Sequence, residues 1–219
     1  MKKFGFSLAE VLITLGVIGV VAALTIPSLY GNYQKKQYAT ALKKDYTTVM
    51  QAFRRMVEDE DAEDILSTEF SDLVNAYGDN SSSFTQYITK YFPNAKYISG
   101  TASYKYRIGH STYTGIHSPY HYKRIDLPDT TYYFSSQGYD YNHYWNSSSK
   151  RSVNGYGAVY VDVNGANKGP NRVGVDFFGF YYDSELQYYP NSGSSCTGSS
   201  GALSCFRKVM DDGWEIKYY

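Results

Sequence analysis

The amino-acid sequence predicts an α+β fold in which one long N-terminal helix is followed by an antiparallel β-sheet. The first observation is an apolar run that passes into apolar residues at helical spacing, which predicts a continuous helix from Phe6 to about Val57. The second is a change of pattern after Ala95, where short segments rich in tyrosine and β-branched residues are bounded by Gly, Asn, Ser or Pro. A chain of 219 residues has room for one spanning helix and one soluble domain.

The N-terminal apolar run is long enough to cross a membrane. About twenty apolar residues span a bilayer as a helix, and Phe6 to Ile26 meets that length with Glu10 as its only charged residue. A carboxylate in a spanning helix costs roughly 2.5–3.5 kcal/mol, so Glu10 is a candidate functional residue. Pro27 removes a backbone hydrogen bond, which predicts a kink at the end of the run.

The start of the chain resembles the class III signal of type IV pilins and type II secretion pseudopilins. The residues that carry this likeness are Lys2, Lys3, Gly5, Phe6, Glu10, Gly19 and Pro27. The resemblance implies that a prepilin peptidase cleaves after Gly5 and methylates the new amino terminus at Phe6. It also implies that Glu10 serves assembly.

Glu10 has a physical interpretation beside this resemblance. In an isolated membrane helix the carboxylate has no partner, but a second helix displaced by about one turn brings its amino-terminal ammonium close to Glu10. Such a pair is strongly attractive in a medium of low dielectric constant, and it would set the axial register between subunits. The alternative is an ordinary secretory signal with a glutamate in its apolar region, cleaved near Leu24.

Beyond Pro27 the helix is predicted to continue as an amphipathic segment over residues 28–58. Its apolar stripe consists of Ala39, Leu42, Tyr46, Val49, Phe53 and Met56, with lysines and arginines between them. The acidic stretch Glu58 to Asp64 then predicts a solvated turn or short helix. Ser83 to Gln86 matches a capping box and predicts a helix over Ser83–Phe92 that ends at Pro93.

The remainder of the chain predicts strands and loops. The predicted strands are Lys96–Ile98, Ser103–Ile108, Thr130–Ser135, Tyr156–Val163, Val173–Tyr182, Leu186–Tyr189 and a closing strand within Asp212–Tyr218. Tyr139 to Lys150 is predicted to be a long loop. A long helix packed on such a sheet resembles the pilin fold, with residues 1–5 as leader, 6–27 as membrane or filament-core helix and 59–219 as globular domain.

The composition gives little sign of a nucleic-acid partner but allows a binding surface. Lys plus Arg and Asp plus Glu are 21 each, so the formal net charge is zero and no basic field attracts nucleic acid. The 26 tyrosines suit a β-sheet, or a surface that binds glycan or protein. Cys196 and Cys205 form an even pair, which predicts a disulfide in an exported domain; two buried free thiols are the alternative.

The loop from Asp162 to Asp176 is a candidate calcium site. Calcium takes six to eight oxygen ligands, and Asp162, Asn164, Asn167 and Asp176 offer carboxylate and amide oxygens among glycines. The loop is not an EF-hand, because the twelfth position from Asp162 is Val173. An ordinary turn at Asn164-Gly165 is the alternative.

The sequence does not favour an enzyme. It contains no HExxH, P-loop or nucleophile-elbow motif, and Pro119 separates His117 from His121. The resemblance implies a structural subunit whose partners are prepilin peptidase, other pilin subunits, an inner-membrane assembly platform and, before assembly, membrane lipid. The subunit would start in the cytoplasmic membrane, single-pass with its C-terminal domain outside the cytoplasm. The alternatives are a membrane-anchored binding module that does not polymerise and a secreted enzyme.

Overall fold

The computed structural model describes residues 5, 7–75, 81–98, 105–108, 111–114, 123–135, 156–183, 195–197 and 201–218. The helices in this part of the chain are α1 (Leu8–Glu60), α2 (Glu69–Asn75), α3 (Ser81–Tyr91) and α4 (Ala202–Asp211), with a short 3₁₀ helix at Ile65–Ser67. The strands are β1 (Lys96–Ile98), β2 (Lys105–Ile108), β3 (Ser111–Thr114), β4 (Lys123–Asp126), β5 (Thr131–Ser135), β6 (Tyr156–Asp162) and β7 (Phe177–Asp183). An α+β fold is therefore confirmed.

The sheets are antiparallel, as predicted. Five strands are hydrogen-bonded in the order β1-β4-β5-β6-β7, and β2 pairs with β3 in a separate two-stranded sheet. The chain divides into two compact units, Met1–Gln37 and Tyr38–Tyr219. The sheets lie in the second unit.

Helix α1 confirms the predicted long helix and its apolar stripe. The helix is continuous through Pro27 and ends at Glu60, followed by Asp61 in a left-handed conformation. Of the predicted stripe, Ala39, Leu42, Val49, Phe53 and Met56 are buried, and Tyr46 is half-buried against the same core. Helical spacing therefore identified the face of α1 that packs on the domain.

Aromatic rings form the centre of the domain. The ring of Phe53 lies 4.7 Å from that of Tyr182 on β7 and 6.2 Å from that of Phe134 on β5, measured between centroids. Gly157 allows this packing, because a Cβ at Gly157 would lie 2.3 Å from the Tyr182 ring. The tyrosines of the sheet thus fill the core as well as its surface.

The acidic stretch Glu58 to Asp64, predicted as a solvated turn or short helix, begins within the last turn of α1 and makes contacts of its own. The Glu60 carboxylate accepts hydrogen bonds from the Tyr87 hydroxyl at 2.5 Å and from the Glu69 backbone N–H at 2.7 Å. Asp59 forms an ion pair with Lys90 at 3.0 Å. These contacts join the end of α1 to α2 and α3.

Several predicted boundaries need correction. Helix α3 begins at Ser81, so the predicted capping box at Ser83 is wrong and Ser83 lies within the helix. Strand β7 begins at Phe177 instead of Val173, because residues between them form a turn in which Gly174 has φ +77°. The closing strand is also wrong, since residues 215–218 have no regular secondary structure.

Five elements of the described residues were not predicted: the 3₁₀ helix Ile65–Ser67, α2, β3, β4 and α4. The proposed strand Leu186–Tyr189 and the proposed loop Tyr139–Lys150 lie outside the described residues, as do residues 103 and 104 of the second predicted strand.

Candidate functional site

The start of α1 holds Glu10 in a capping box. The Ser7 backbone N–H and the Ser7 hydroxyl donate to Glu10 Oε2 at 2.8 and 2.9 Å, and the Glu10 backbone N–H lies 3.3 Å from Ser7 Oγ. This reciprocal arrangement satisfies otherwise unpaired groups at a helix N-terminus. The Ser7-x-x-Glu10 spacing is a known sequence signal for such a cap, and the sequence analysis missed it.

The cap gives Glu10 a local role that competes with the predicted one between subunits. Its carboxylate lies at the positive end of the helix dipole, close to the backbone nitrogen of Ser7. The amine that cleavage after Gly5 would create belongs to the residue directly before Ser7. Phe6, Lys2 and Lys3 lie outside the described residues, so the rest of the predicted signal stays a prediction.

The apolar surface that follows Glu10 is exposed along its whole length. Leu12, Ile18 and Leu24 are 62%, 63% and 75% exposed. Helix α1 is long and apolar enough to cross a membrane, with a mean hydropathy of 2.3 in its most apolar window and none of that window buried. A Cβ added at Gly16 or Gly19 would meet nothing within 4 Å. Within the first unit, this surface has no protein covering.

The Asp162–Asp176 loop is organised around a buried carboxylate. Asp176 is fully buried, and its oxygens accept hydrogen bonds from the backbone N–H groups of Arg172 and Asn171 at 2.6 and 2.9 Å. Burial raises the pKa of Asp176, while these N–H groups act in the opposite direction. The loop therefore supplies donors to its own carboxylate.

The four predicted calcium ligands do not all come together. Asp162 is buried and its Oδ1 lies 3.3 Å from the Asn164 backbone nitrogen, whereas Asn167 is exposed at the surface of the loop. The side-chain oxygens of Asn164 and Asn171 are buried and have no hydrogen-bond partner in the structure. Two buried acceptor oxygens beside buried carboxylates suit a cation.

The donor set is nevertheless incomplete for a calcium site. Among the described residues, no group of three or more His, Cys, Asp or Glu side chains is placed to hold a metal ion. Asn171 was not among the predicted ligands, although its oxygen is one of those without a partner. Calcium binding stays a prediction, with Asn171 in place of Asn167 as the more suitable amide.

The predicted disulfide between Cys196 and Cys205 is confirmed, and it packs on this loop. A Cβ at Gly174 would lie 2.6 Å from Cys196 Sγ and 2.8 Å from Cys205 Sγ. The Tyr218 hydroxyl donates to the Gly174 carbonyl oxygen at 2.7 Å. The disulfide and the C-terminal segment thus fix the loop from one side.

A third buried carboxylate, Asp45, joins α1 to the sheet. Asp45 is 5% exposed, and its oxygens lie 2.9 Å from the Tyr132 hydroxyl and 3.1 Å from Thr130 Oγ1. Burial raises the pKa of Asp45 to about 6, although both hydroxyl groups and Lys44 oppose the shift.

The hydrogen bonds around Thr130 fit a protonated Asp45. Thr130 Oγ1 also lies 2.8 Å from the carbonyl oxygen of Asp162, and its single proton serves only one of its two neighbours. If Asp45 is protonated, it donates to Thr130 and Thr130 donates to Asp162. Every group in this chain of contacts is then satisfied. The geometry and the raised pKa of Asp45 therefore agree.

All four histidines of the chain lie outside the described residues, namely His110, His117, His121 and His143. Comparison of the chain with protein-family models, with curated proteins and with solved structures gives no match. The function must therefore be argued from the residues of this chain.

Proposed function

We propose that the chain is a pilin-like structural subunit of a type IV pilus or of a type II secretion-type pseudopilus. The supporting observation is that the first part of α1 exposes apolar side chains along its length and has one carboxylate, Glu10, at its start. Such a surface needs lipid or other helices around it, because apolar area in water is unfavourable. The domain of the second unit has its own core, which contains no residue of this surface.

In this proposal the helix has two successive environments. Lipid covers the segment of residues 6–27 in the cytoplasmic membrane, with the basic start of the chain on the cytoplasmic side. Prepilin peptidase then cleaves after Gly5 and methylates Phe6. The assembly platform next transfers the helix from lipid to a bundle of other subunits, in which Gly16 and Gly19 permit close helix contact. The chain performs no catalytic step.

The capping box suggests how Glu10 acts in these steps. In the single subunit, Ser7 supplies the hydrogen bonds that a carboxylate needs when no cation is present. Cleavage creates an ammonium group on the neighbouring residue, and assembly brings the same group of another subunit. We infer that Glu10 exchanges its contacts with Ser7 for an ionic contact between subunits.

Two variants separate the ionic role of Glu10 from its capping role. Glu10→Gln keeps a side chain that completes a capping box but loses the charge, so filaments should be lost. Ser7→Ala keeps the charge and removes a cap that contributes about 1 kcal/mol, so filaments should form at reduced yield. Sheared filaments and membranes are quantified from cells that carry a prepilin peptidase and its assembly system, and the mass of each subunit reports cleavage.

The opposite result would assign Glu10 a capping role only. If Glu10→Gln forms filaments at the wild-type level while Ser7→Ala does not, the ionic contact between subunits is refuted. If the processed wild-type chain stays in the membrane and never enters a filament, the membrane-anchored binding module takes the place of the pilin-like subunit.

A further inference from the structure

Charges of opposite sign occupy separate parts of the second unit. Between residues 38 and 57 the only acidic residue is Asp45, which is buried, whereas Lys43, Lys44, Arg54 and Arg55 are exposed. Between residues 58 and 72 there are eight acidic residues and no lysine or arginine. We call the four exposed cations the basic face of α1 and residues 58–72 the acidic segment.

The basic face is a single surface of the helix. At 3.6 residues per turn, its four cations and Glu58 fall within an arc of about 120°. Lys43 lies 5.9 Å from the Trp214 ring and Arg55 lies 5.9 Å from the Tyr91 ring, so aromatic side chains flank the arc. No carboxylate forms an ion pair with any of the four cations among the described residues.

The acidic segment has contacts of its own, but several carboxylates point to solvent. Asp59 and Glu60 contact Lys90 and Tyr87, as described above. Glu58 and Glu63 are exposed and form no ion pair within the described part of the chain. Arg54 lies four residues before Glu58 but makes no ion pair with it. On a helix, a cation that precedes its carboxylate by four residues forms a weaker pair than one that follows it.

We propose that the basic face of one subunit docks on the acidic segment of a second copy of this chain. The argument is charge complementarity, since both surfaces belong to the same molecule and carry opposite charges, with four cations on one and eight carboxylates on the other. The inference deepens the proposed function and rests on it, because parallel subunits in a filament must be displaced along their helices. A displacement of about 22 Å, larger than the one-turn displacement that would pair Glu10 with a neighbour's amine, brings Lys43 and Lys44 of one copy level with Glu58 and Asp59 of a different neighbour.

A second copy accounts for the pattern better than nucleic acid does. A nucleic-acid surface gains from a basic field with no acidic region beside it, whereas here the acidic segment begins directly after the last cation, Arg55. Docking between copies uses both surfaces at once, and it would neutralise the four cations of the basic face with carboxylates of the acidic segment.

Charge exchange tests the proposal on the full chain. The first variant carries Lys43→Glu and Arg54→Glu, the second carries Glu58→Lys and Glu63→Lys, and the third carries all four changes. Each of the first two places like charges at the contact and should lower filament yield by about tenfold. The third variant, or the first two expressed together, restores opposite charges and should recover most of the yield.

Controls keep the result specific. Lys96→Glu with Arg172→Glu changes the net charge as the first variant does, but at exposed positions away from both surfaces, and should leave assembly unchanged. Thermal unfolding of each variant checks folding, and raised salt should weaken wild-type filaments by screening the contact.

The outcomes also separate this inference from the proposed function. Filaments that form equally well in all charge variants overturn the docking surface and leave the pilin-like subunit intact. A wild-type chain that never assembles overturns the proposed function instead. If the wild type binds a duplex oligonucleotide at low salt, and the first variant loses that binding while assembling normally, the basic face serves nucleic acid and the docking between copies is wrong.

Discussion

The two parts of α1 show how one helix serves two different environments. In the part that belongs to the first unit, apolar side chains such as Leu12 and Ile18 are more than 60% exposed. In the part that belongs to the second unit, Leu42, Val49 and Phe53 are fully buried in a core of aromatic residues. Both parts contain many apolar residues, but the first part is apolar almost throughout, whereas the second is apolar on one face only. The difference is that the folded domain covers the apolar residues of the second part, whereas those of the first part are exposed.

The comparison extends to the carboxylates of the same helix. Glu10 is exposed and is held by Ser7 three residues before it, whereas Asp45 is buried and is held by residues more than eighty positions away. A local contact does not depend on the fold of the domain and can be exchanged for another, but a buried long-range contact exists only in the folded domain. The first part of α1 is therefore suited to exchange partners and the second part to remain in place.

The largest expected effect is on the free energy of unfolding, when a buried side chain of α1 is removed and compared with an exposed one. Phe53→Ala should lower the free energy of unfolding of the domain by about 3–5 kcal/mol, because it leaves a cavity among buried rings. Ile18→Ala, in the exposed part, should leave that free energy unchanged. Denaturant unfolding of both variants, followed by the circular dichroism of the domain, makes the measurement. Equal losses in the two variants would end the distinction between the two parts of α1.

Asp45 should make the stability of the domain depend on pH. Its pKa is about 6 in the folded protein and 3.8 in the unfolded reference, so folding favours the protonated form. The contribution is greatest below pH 4 and is lost as the pH rises through 6, which amounts to about 2–3 kcal/mol. The size of this effect depends on the groups that face Asp45, which are Tyr132, Thr130, Lys44 and Asp129.

Asp45→Asn is the matched variant for this prediction, because it removes the titration and keeps the shape. Relative to the wild type, the variant should gain stability between pH 5 and pH 7.5. Asp176, whose pKa is also raised, remains in both proteins and cancels in the difference. A constant difference between the two proteins over this range would show that Asp45 is charged throughout.

Two glycines at positive φ, one against the disulfide and one in open space, test how closely the disulfide packs on the loop. Gly174→Ala places a methyl group against the Cys196–Cys205 disulfide at a positive φ, and it should cost about 2–4 kcal/mol. Gly213→Ala has a similar φ of +76° with nothing within 4 Å, and should cost only about 1–2 kcal/mol. Melting temperatures of the two variants give the packing contribution by difference. Equal melting temperatures would mean that the disulfide does not press on the loop.

Calcium should have the smallest effect. A free calcium concentration ten times the dissociation constant adds about 1.4 kcal/mol to the stability of the domain. The melting temperature is measured with calcium and with chelator, for the wild type and for Asp162→Ala. We expect only the wild type to respond. A wild-type chain that melts at the same temperature in both solutions has no calcium site at this loop.

The sequence predicted those parts of the fold that have a regular apolar period. The stripe through Leu42, Val49 and Phe53 identified the buried face of α1, and the tyrosine- and valine-rich segment around Val159 identified β6. Helix α4 also had a signal, with Ala202, Cys205, Phe206 and Val209 at helical spacing. Strands β3 and β4 had none, because four-residue segments such as Lys123–Asp126 carry no clear alternation.

The candidate functional residues also divide into those that a local sequence signal identifies and those that only the folded chain brings together. The capping box of Ser7 and Glu10 is local and was predictable from its spacing. The burial of Asp45 was not, because its stabilising partners, Thr130 just before β5 and Tyr132 on β5, are distant in sequence and only the folded chain brings them to α1. The orientation of Asn167 toward solvent depends on how the loop folds back on itself, which composition does not reveal.

The mass of the mature chain tests the central proposal most directly. The chain is purified from cells that contain an active prepilin peptidase, and its intact mass is measured under reducing conditions. The proposal predicts a mass that corresponds to residues 6–219 with one added methyl group. A mass that corresponds to a chain with residues 1–5 still present, or to a chain that begins near Leu24, would contradict processing as a pilin-like subunit.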